Sequence, residues 1–285
     1  MADKHIFIFG LGYVGRHLAH ALHQQGWQIS GTTRDAEKLR RHVPDSWQIF
    51  AFEDGQTIEN LESHLENCTH LLSTISALVG HDPVMNSHKD ILKSFKGWCG
   101  YVSATSIYPD QKDGFVDEET TPAPATKRGH DRLAAEQLWQ EITDAELFRA
   151  AGIYGPHRSP FKALAEGRSK IIDKPGHYFN RIHQSDITKI IIAAMAQPRA
   201  RRIINLCDEE PAPQGDVIRY AANLMGIEAP KPIAFEEADL SPMARTFYVS
   251  RRRLKSNIIS QELGITLDYP TYREGLDAIY KEEQA

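Results

Sequence analysis

The chain has 285 residues, a formal net charge of -5, 41% hydrophobic and 25% charged residues, enough to bury a sizeable core without disulfide staples. The acidic balance argues against broad nucleic-acid binding, no apolar run reaches the roughly 20 residues of a membrane helix, and the first strand begins too early for a signal peptide. Cys68, Cys99 and Cys207 lie far apart with no metal-ligand spacing, so a soluble cytoplasmic protein with neither bound metal nor membrane or nucleic-acid partner is expected.

Residues 6–9 read as a buried strand that breaks into Gly10, Gly12 and Gly15, and Leu18, Ala19 and Leu22 then recur at helical spacing up to Gly26. Strand, GxGxxG and helix in that order form a dinucleotide turn. One glycine permits the tight bend, one lets the backbone approach a pyrophosphate, and one lets helix and strand pack closely. The amino end of the helix adds free N–H groups and positive dipole, so Gly10, Gly12, Tyr13, Val14 and Gly15 form the expected phosphate cradle. His17, His20 and His23 share this helix without an HExxH pattern or a nearby carboxylate, and read as its polar face.

The second strand, residues 28–31, runs into "ISGTTRDAEKL". A carboxylate at its end would take ribose hydroxyls, whereas a cation would accept a 2'-phosphate. Arg34, with Thr32 and Thr33 able to donate hydrogen bonds, favours NADP(H); Asp35 serving the ribose would favour NAD instead. Further strands at 47–52, 70–73, 100–103, 147–150 and 203–206 alternate with helical stretches, which predicts an α/β fold with a doubly wound parallel sheet. Ser73 and Thr74, at the end of the 70–73 strand, join the cofactor-binding set. Beyond about residue 155 the alternation loosens. Residues 1–157 are therefore read as a Rossmann domain and 158–285 as a smaller substrate-side domain, interleaved with the first by a late sheet strand at about 202–207. The run Arg251-Arg252-Arg253 reads as a solvated face rather than a phosphate patch.

"YVSATSIYPD", "AAGIYGP" and "FNRIHQSDI", in this order along nearly the whole chain, resemble the fifth strand, the sixth strand with its turn, and the pocket-closing segment of extended short-chain dehydrogenases/reductases, the branch of nucleotide-sugar epimerases and dehydratases. The GxGxxG spacing, "DEETTPAPATKRGHDRLAAEQ" and a late "YPTYREGL" are similar to an atypical, YeeZ-like group within it. "GLGYVG" also resembles the opening of nucleotide-sugar 6-dehydrogenases, but no nucleophile-like cysteine or second dinucleotide-binding half follows.

The resemblance implies a tyrosine and a lysine four residues apart on one helix face, helped by a strand hydroxyl. The corresponding positions here hold Arg128, Arg132 and Ala104. A guanidinium cannot accept a proton near neutrality, so the family's usual mechanism does not run. Two forks at helical spacing can bind: Arg132 suits the nicotinamide ribose and Arg128 an anionic substrate, unless both lie on a solvated face paired with Asp131 and Glu136. Thr105 and Ser103 flank the vacated hydroxyl position, and Tyr108 and Tyr154 lie on loops at the carboxyl edge of the sheet; these are the remaining candidates for proton transfer.

Tyr154, Arg181 and His183 form the substrate-binding expectation that the resemblance carries, with Asp186 orienting them or capping the next helix, and with Arg158 and Lys162 adding positive charge. The leading expectation is an NADP-dependent oxidoreductase or epimerase-like enzyme acting on a small polar, nucleotide-sugar or anionic substrate. The alternative is an inactive NADP(H) sensor that signals to a partner. A homodimer through the helix carrying Arg132 is a further implication of the resemblance.

Overall fold

A computed structural model describes residues 4–112 and 114–284. In chain order it holds β1 (His5–Phe9), α1 (Tyr13–Gln24), β2 (Gln28–Thr33), α2 (Ala36–Arg40), β3 (Gln48–Ala51), α3 (Leu61–Leu65), β4 (His70–Ser73), α4 (Pro83–Ser94), β5 (Trp98–Ala104), β6 (Phe115–Val116), α5 (Lys127–Thr143) and β7 (Glu146–Ala150). There follow β8 (Gly152–Tyr154), α6 (Phe161–Ala165), β9 (Ile171–Asp173), β10 (Arg181–His183), α7 (Gln184–Ala196), β11 (Ile203–Leu206), α8 (Gln214–Leu224), β12 (Pro232–Ala234), α9 (Pro242–Thr246), β13 (Arg253–Leu254), α10 (Ile258–Gln261) and α11 (Tyr272–Gln284).

The seven strands expected from the sequence form one parallel sheet, ordered β11-β7-β5-β4-β1-β2-β3. The order reverses between β1 and β4. This is the point at which doubly wound sheets open a crevice for ligands beyond their strand ends. β1 is buried at every position, as a strand covered on both faces must be, and α1 meets the sheet with Val14, Leu18, Ala19 and Leu22.

The chain divides into two compact units. The first comprises residues 1–107, 127–149 and 188–204, and the second 108–126, 150–187 and 205–285. In the first, Phe7, Phe9, Leu71, Tyr101 and Trp139 belong to one core, with Tyr101 stacked on Trp139 at 5.4 Å. The second is built from short parallel pairs, β8 with β10, β9 with β12 and β6 with β13, and a core of Phe161, Ile171, Val217, Ile218, Tyr272 and Leu276.

Several charges that a sequence reader places in water are internal. Glu136 of α5 and Arg149 of β7 form a buried pair at 2.8 Å, so Glu136 is not a surface partner for Arg132. Arg202 pairs with Glu146 at 2.7 Å, and Glu146 also accepts the Trp98 indole N–H at 2.8 Å. The arginine run is likewise not a solvated face. Arg252 donates to the Tyr108 carbonyl at 2.6 Å and Arg253 lies 4.1 Å over the Tyr178 ring, so the run straps the second unit together. All three cysteines are buried thiols, and burial pushes Cys68 and Cys99 up to about 12. Among the described residues no helix is long and apolar enough to cross a membrane, and no His/Cys/Asp/Glu group could hold a metal.

Candidate functional site

The glycine turn is built to stay open. Gly10 has φ +94°, a region that L side chains avoid, and a Cβ there would lie 2.7 Å from the Thr74 hydroxyl oxygen. Thr74 donates that hydroxyl to the Gly10 carbonyl at 2.6 Å, while the Gly10 amide donates to the Thr32 hydroxyl at 2.9 Å and the Leu11 amide to the Thr32 carbonyl at 2.6 Å. The bend is thereby pinned from β2 and from the end of β4. A Cβ at Gly15 would stand 2.2 Å from the Gly10 carbonyl oxygen, so only glycine lets α1 lie this close to β1. At Gly12, by contrast, a Cβ would meet nothing within 4 Å. Gly12 caps α1 without a side-chain hydrogen bond, and the first turn of the helix carries no acid. An uncapped helix start facing open space leaves backbone N–H groups free to meet an anion. Tyr13 and Val14 follow directly in that first turn.

At the end of β2, Thr33 is half-buried and Arg34 is exposed. Asp35 accepts the Lys38 amide at 2.9 Å and caps α2, which commits its carboxylate to the backbone. Ser73 is fully buried at the end of β4, and its hydroxyl has no hydrogen-bond partner.

The positions that the resemblance assigns to catalysis lie at the end of β5 and on α5. Ser103 is buried with an unpartnered hydroxyl, Ala104 is half-buried, and Thr105 begins a short 3-10 turn. Arg132 is only 5% exposed and its Nε has no partner; the buried carboxylate of Asp82 lies within electrostatic reach. Asp82 caps α4 through the Val84 and Met85 amides, and burial raises its pKa against the pull of those amides and of Arg132. Arg128, one turn earlier, is surface-exposed, and its pKa is lowered first by partial burial and then by Arg132. The two arginines are thus unlike: one points inward against an acid and one stands at the surface.

Tyr108 belongs to the second unit and is fully buried, its hydroxyl donating to Asn205 Oδ1 at 2.7 Å. Asn205 also donates to the Lys255 carbonyl, and its amide donates to Glu118. Tyr108 is therefore a strut in a polar core, walled off from proton exchange with a substrate.

Tyr154 ends β8, donates to the Thr271 carbonyl at 3.3 Å, and packs edge-on against His183 at 5.1 Å. Burial, and next the nearby Asp208, push its phenol far above the ordinary range. His183 is buried between Tyr154 and Tyr269. Arg181 anchors one nitrogen on the Phe179 and Ala212 carbonyls at 2.9 and 3.2 Å, and lines a cavity of about 300 Å3 together with Tyr154, Arg158, Gln214 and Tyr272. Lys162 is exposed, and the two oxygens of Asp186 accept the Asp268 and Tyr269 amides at 2.7 and 3.1 Å. Of the expected substrate-side residues, Tyr154, Arg158 and Arg181 share one cavity, and His183 is not among its lining residues.

Asp208 was missed. It directly follows β11, is 2% exposed, and neither carboxylate oxygen has a hydrogen bond. Burial raises its pKa to about 8, with the Arg181 guanidinium as the main opposing influence. The signal was present in "INLCDEE", an acid placed immediately past a buried strand at the carboxyl edge.

No family model matches the chain. It is 25% identical over 279 residues to Protein YeeZ of Escherichia coli (strain K12), covering 94% of this chain and 97% of that protein. A functionally unknown conserved protein from Silicibacter pomeroyi DSS has the same fold with a TM-score of 0.91 and 39% identity, covering 98% of this chain and 99% of the other. UDP-glucuronic acid 4-epimerase from Bacillus cereus, solved in complex with NAD, superimposes with a TM-score of 0.76 at 18% identity, 99% of each chain being covered. The chain is thus similar over nearly its whole length to Protein YeeZ and to the Silicibacter pomeroyi protein, and it shares the fold of the Bacillus cereus epimerase.

Proposed function

We propose that the protein binds a nicotinamide dinucleotide and acts as an oxidoreductase or epimerase-like enzyme on a small polar substrate that carries an anionic group. The observation that carries the reading is the pinned, open turn at Gly12 at the start of an uncapped helix. When bound, nicotinamide supplies the hydride chemistry. The chain's own residues hold and orient: Gly12, Tyr13 and Val14 at the pyrophosphate, Thr74 and Ser73 along the β4 edge, and Arg132 at the ribose. The finer choice is NADP(H), supported by the exposed Arg34 and by the engagement of Asp35 as a helix cap. In the second unit, Arg181 with Tyr154 supplies the positive, hydrogen-bonding floor for the substrate's anionic group. Of the hydroxyls weighed for proton transfer, Thr105 remains, half-buried beside Ala104.

The test has two stages. Calorimetry with NADPH and NADH reads the cofactor, and tight binding of neither ends the proposal. Absorbance at the nicotinamide band, followed over a panel of nucleotide sugars and aldehydes, then reads turnover. A second reading has its own support: Arg128 and Arg132 occupy the positions of the proton-exchanging pair, and the Tyr108 phenol is sealed in a core. Nicotinamide nucleotide binding with no turnover across the panel would favour a cofactor-occupancy sensor.

A further inference from the structure

A buried carboxylate with no hydrogen-bond partner, within electrostatic reach of a half-buried guanidinium that lines a cavity, is an unbalanced arrangement. Asp208 is 2% exposed with both oxygens unpartnered, and its own amide donates to the Arg181 carbonyl at 2.6 Å. Arg181 supplies its largest favourable interaction, and the nearby Glu210 and Arg181 amides ease it further without closing a hydrogen bond. Arg181 is itself half-buried, spends one nitrogen on two carbonyls, and lines the cavity. The acid that acts on it most strongly is Asp208, with no ion pair between the two side chains, unless something anionic arrives from the cavity side.

We infer that an oxyanion engaging Arg181 in this cavity drives Asp208 to take up a proton from solvent, so that anion binding and protonation occur as one event. The inference rests on the reading of the cavity as the substrate's anion pocket. An incoming anion both competes for the guanidinium and repels the carboxylate, and each effect favours the neutral acid. The other groups around Asp208 cannot substitute for it. Arg181 stays cationic, and burial pushes the phenol of Tyr154 and the thiol of Cys207 upward, out of reach. Asp186 is held by two amides, and Glu210 is ion-paired with Arg273. Without a bound anion, Asp208 is poised at about 8, so uptake is largest just above that pH.

The probe is sodium sulfate, which does not titrate in this range, added to the full-length protein at constant ionic strength and followed by isothermal titration in two buffers of different protonation enthalpy. At about pH 8.5 the wild type should take up a substantial fraction of one proton per sulfate, and its affinity should fall up to about tenfold per pH unit on the alkaline side. Asp208→Asn, which imitates the neutral acid, should take up none and keep the wild type's acid-side affinity at every pH. Arg181→Gln should lose sulfate binding. Sulfate binding that is absent, or indifferent to Arg181→Gln, overturns the anion pocket and the coupling with it. Arg181-dependent binding without proton uptake by the wild type overturns the coupling alone, and this readout needs no variant to fold.

Discussion

Gly275 lies directly beneath Tyr154: a Cβ at position 275 would come 2.1 Å from the phenol oxygen and 2.6–2.7 Å from the ring carbons. In a free helix, alanine is favoured over glycine by about 1 kcal/mol. Here the clash is with a buried ring, so Gly275→Ala should cost about 1–3 kcal/mol. In a Tyr154→Ala background the same change should become neutral or stabilising. Urea unfolding of the four proteins in this cycle measures the coupling, and additive effects would refute the contact as the reason for the glycine.

Gly12 and Gly15 should separate binding from folding. Gly12→Ala meets open space, so the melting temperature should hardly move while NADPH affinity falls at least about tenfold, because the added methyl occupies the phosphate approach. Gly15→Ala strikes a backbone carbonyl and should destabilise the apoprotein itself. Thermal melts without ligand, paired with calorimetry, tell the two apart; equal effects on both readouts would contradict the roles given.

Arg34→Ala should weaken NADPH by roughly tenfold to a hundredfold and leave NADH nearly unchanged, as expected for the loss of a charge-assisted contact to a phosphate. Asp35→Ala should instead cost about 1 kcal/mol of stability through the lost cap of α2, with the NADPH/NADH ratio preserved. A ratio that shifts with Asp35 rather than with Arg34 reverses the cofactor preference.

The pH dependence of stability follows from Asp208. Its folded pKa of about 8 lies above the ordinary aspartate value of about 3.9, so the fold prefers the protonated acid. Its penalty is absent below about pH 4, grows as pH rises, and is complete above about pH 8. Asp208→Asn should therefore match wild type in acid and gain on the order of a few kcal/mol by the alkaline side of that window. A difference that is flat with pH, or that shrinks as pH rises, contradicts the unpartnered carboxylate.

Removing one member of the Glu136–Arg149 pair strands a charge in the core. Glu136→Ala should cost about 3–5 kcal/mol, whereas Glu136→Leu combined with Arg149→Met should restore much of the loss. Denaturant midpoints of the single and double variants decide this.

Much of the fold could be read from residue order. The glycine spacing after a buried strand announces the turn, and short apolar runs separated by helical periodicity announce the parallel sheet. Periodicity says nothing about which polar groups are drawn inside. Thr32, expected from the sequence to donate beside Arg34, is instead fully buried, and its hydroxyl receives the Gly10 amide. Tyr108 sits in a loop at the right edge for chemistry, yet its hydroxyl is consumed by Asn205, ninety-seven residues away in the chain. Arg128 and Arg132 share a helix at the spacing of a catalytic pair, but only Arg132 turns toward Asp82, because α4 delivers that acid from a distant stretch of sequence. Charges in β7 and at Arg252 likewise find partners that local pattern cannot disclose. Local rules place the backbone; burial of polar side chains depends on contacts made across the chain.

The position of β11 has a consequence for synthesis on the ribosome. β7 is complete by residue 150, but its outer neighbour in the sheet is not made until residues 203–206. In the interval, a nascent chain carries a strand flank of bare amides and carbonyls rich in apolar side chains, the kind of surface on which polypeptides join one another. Premature termination between those points should yield fragments that precipitate or depend on chaperones, while chains carried past residue 206 escape that fate.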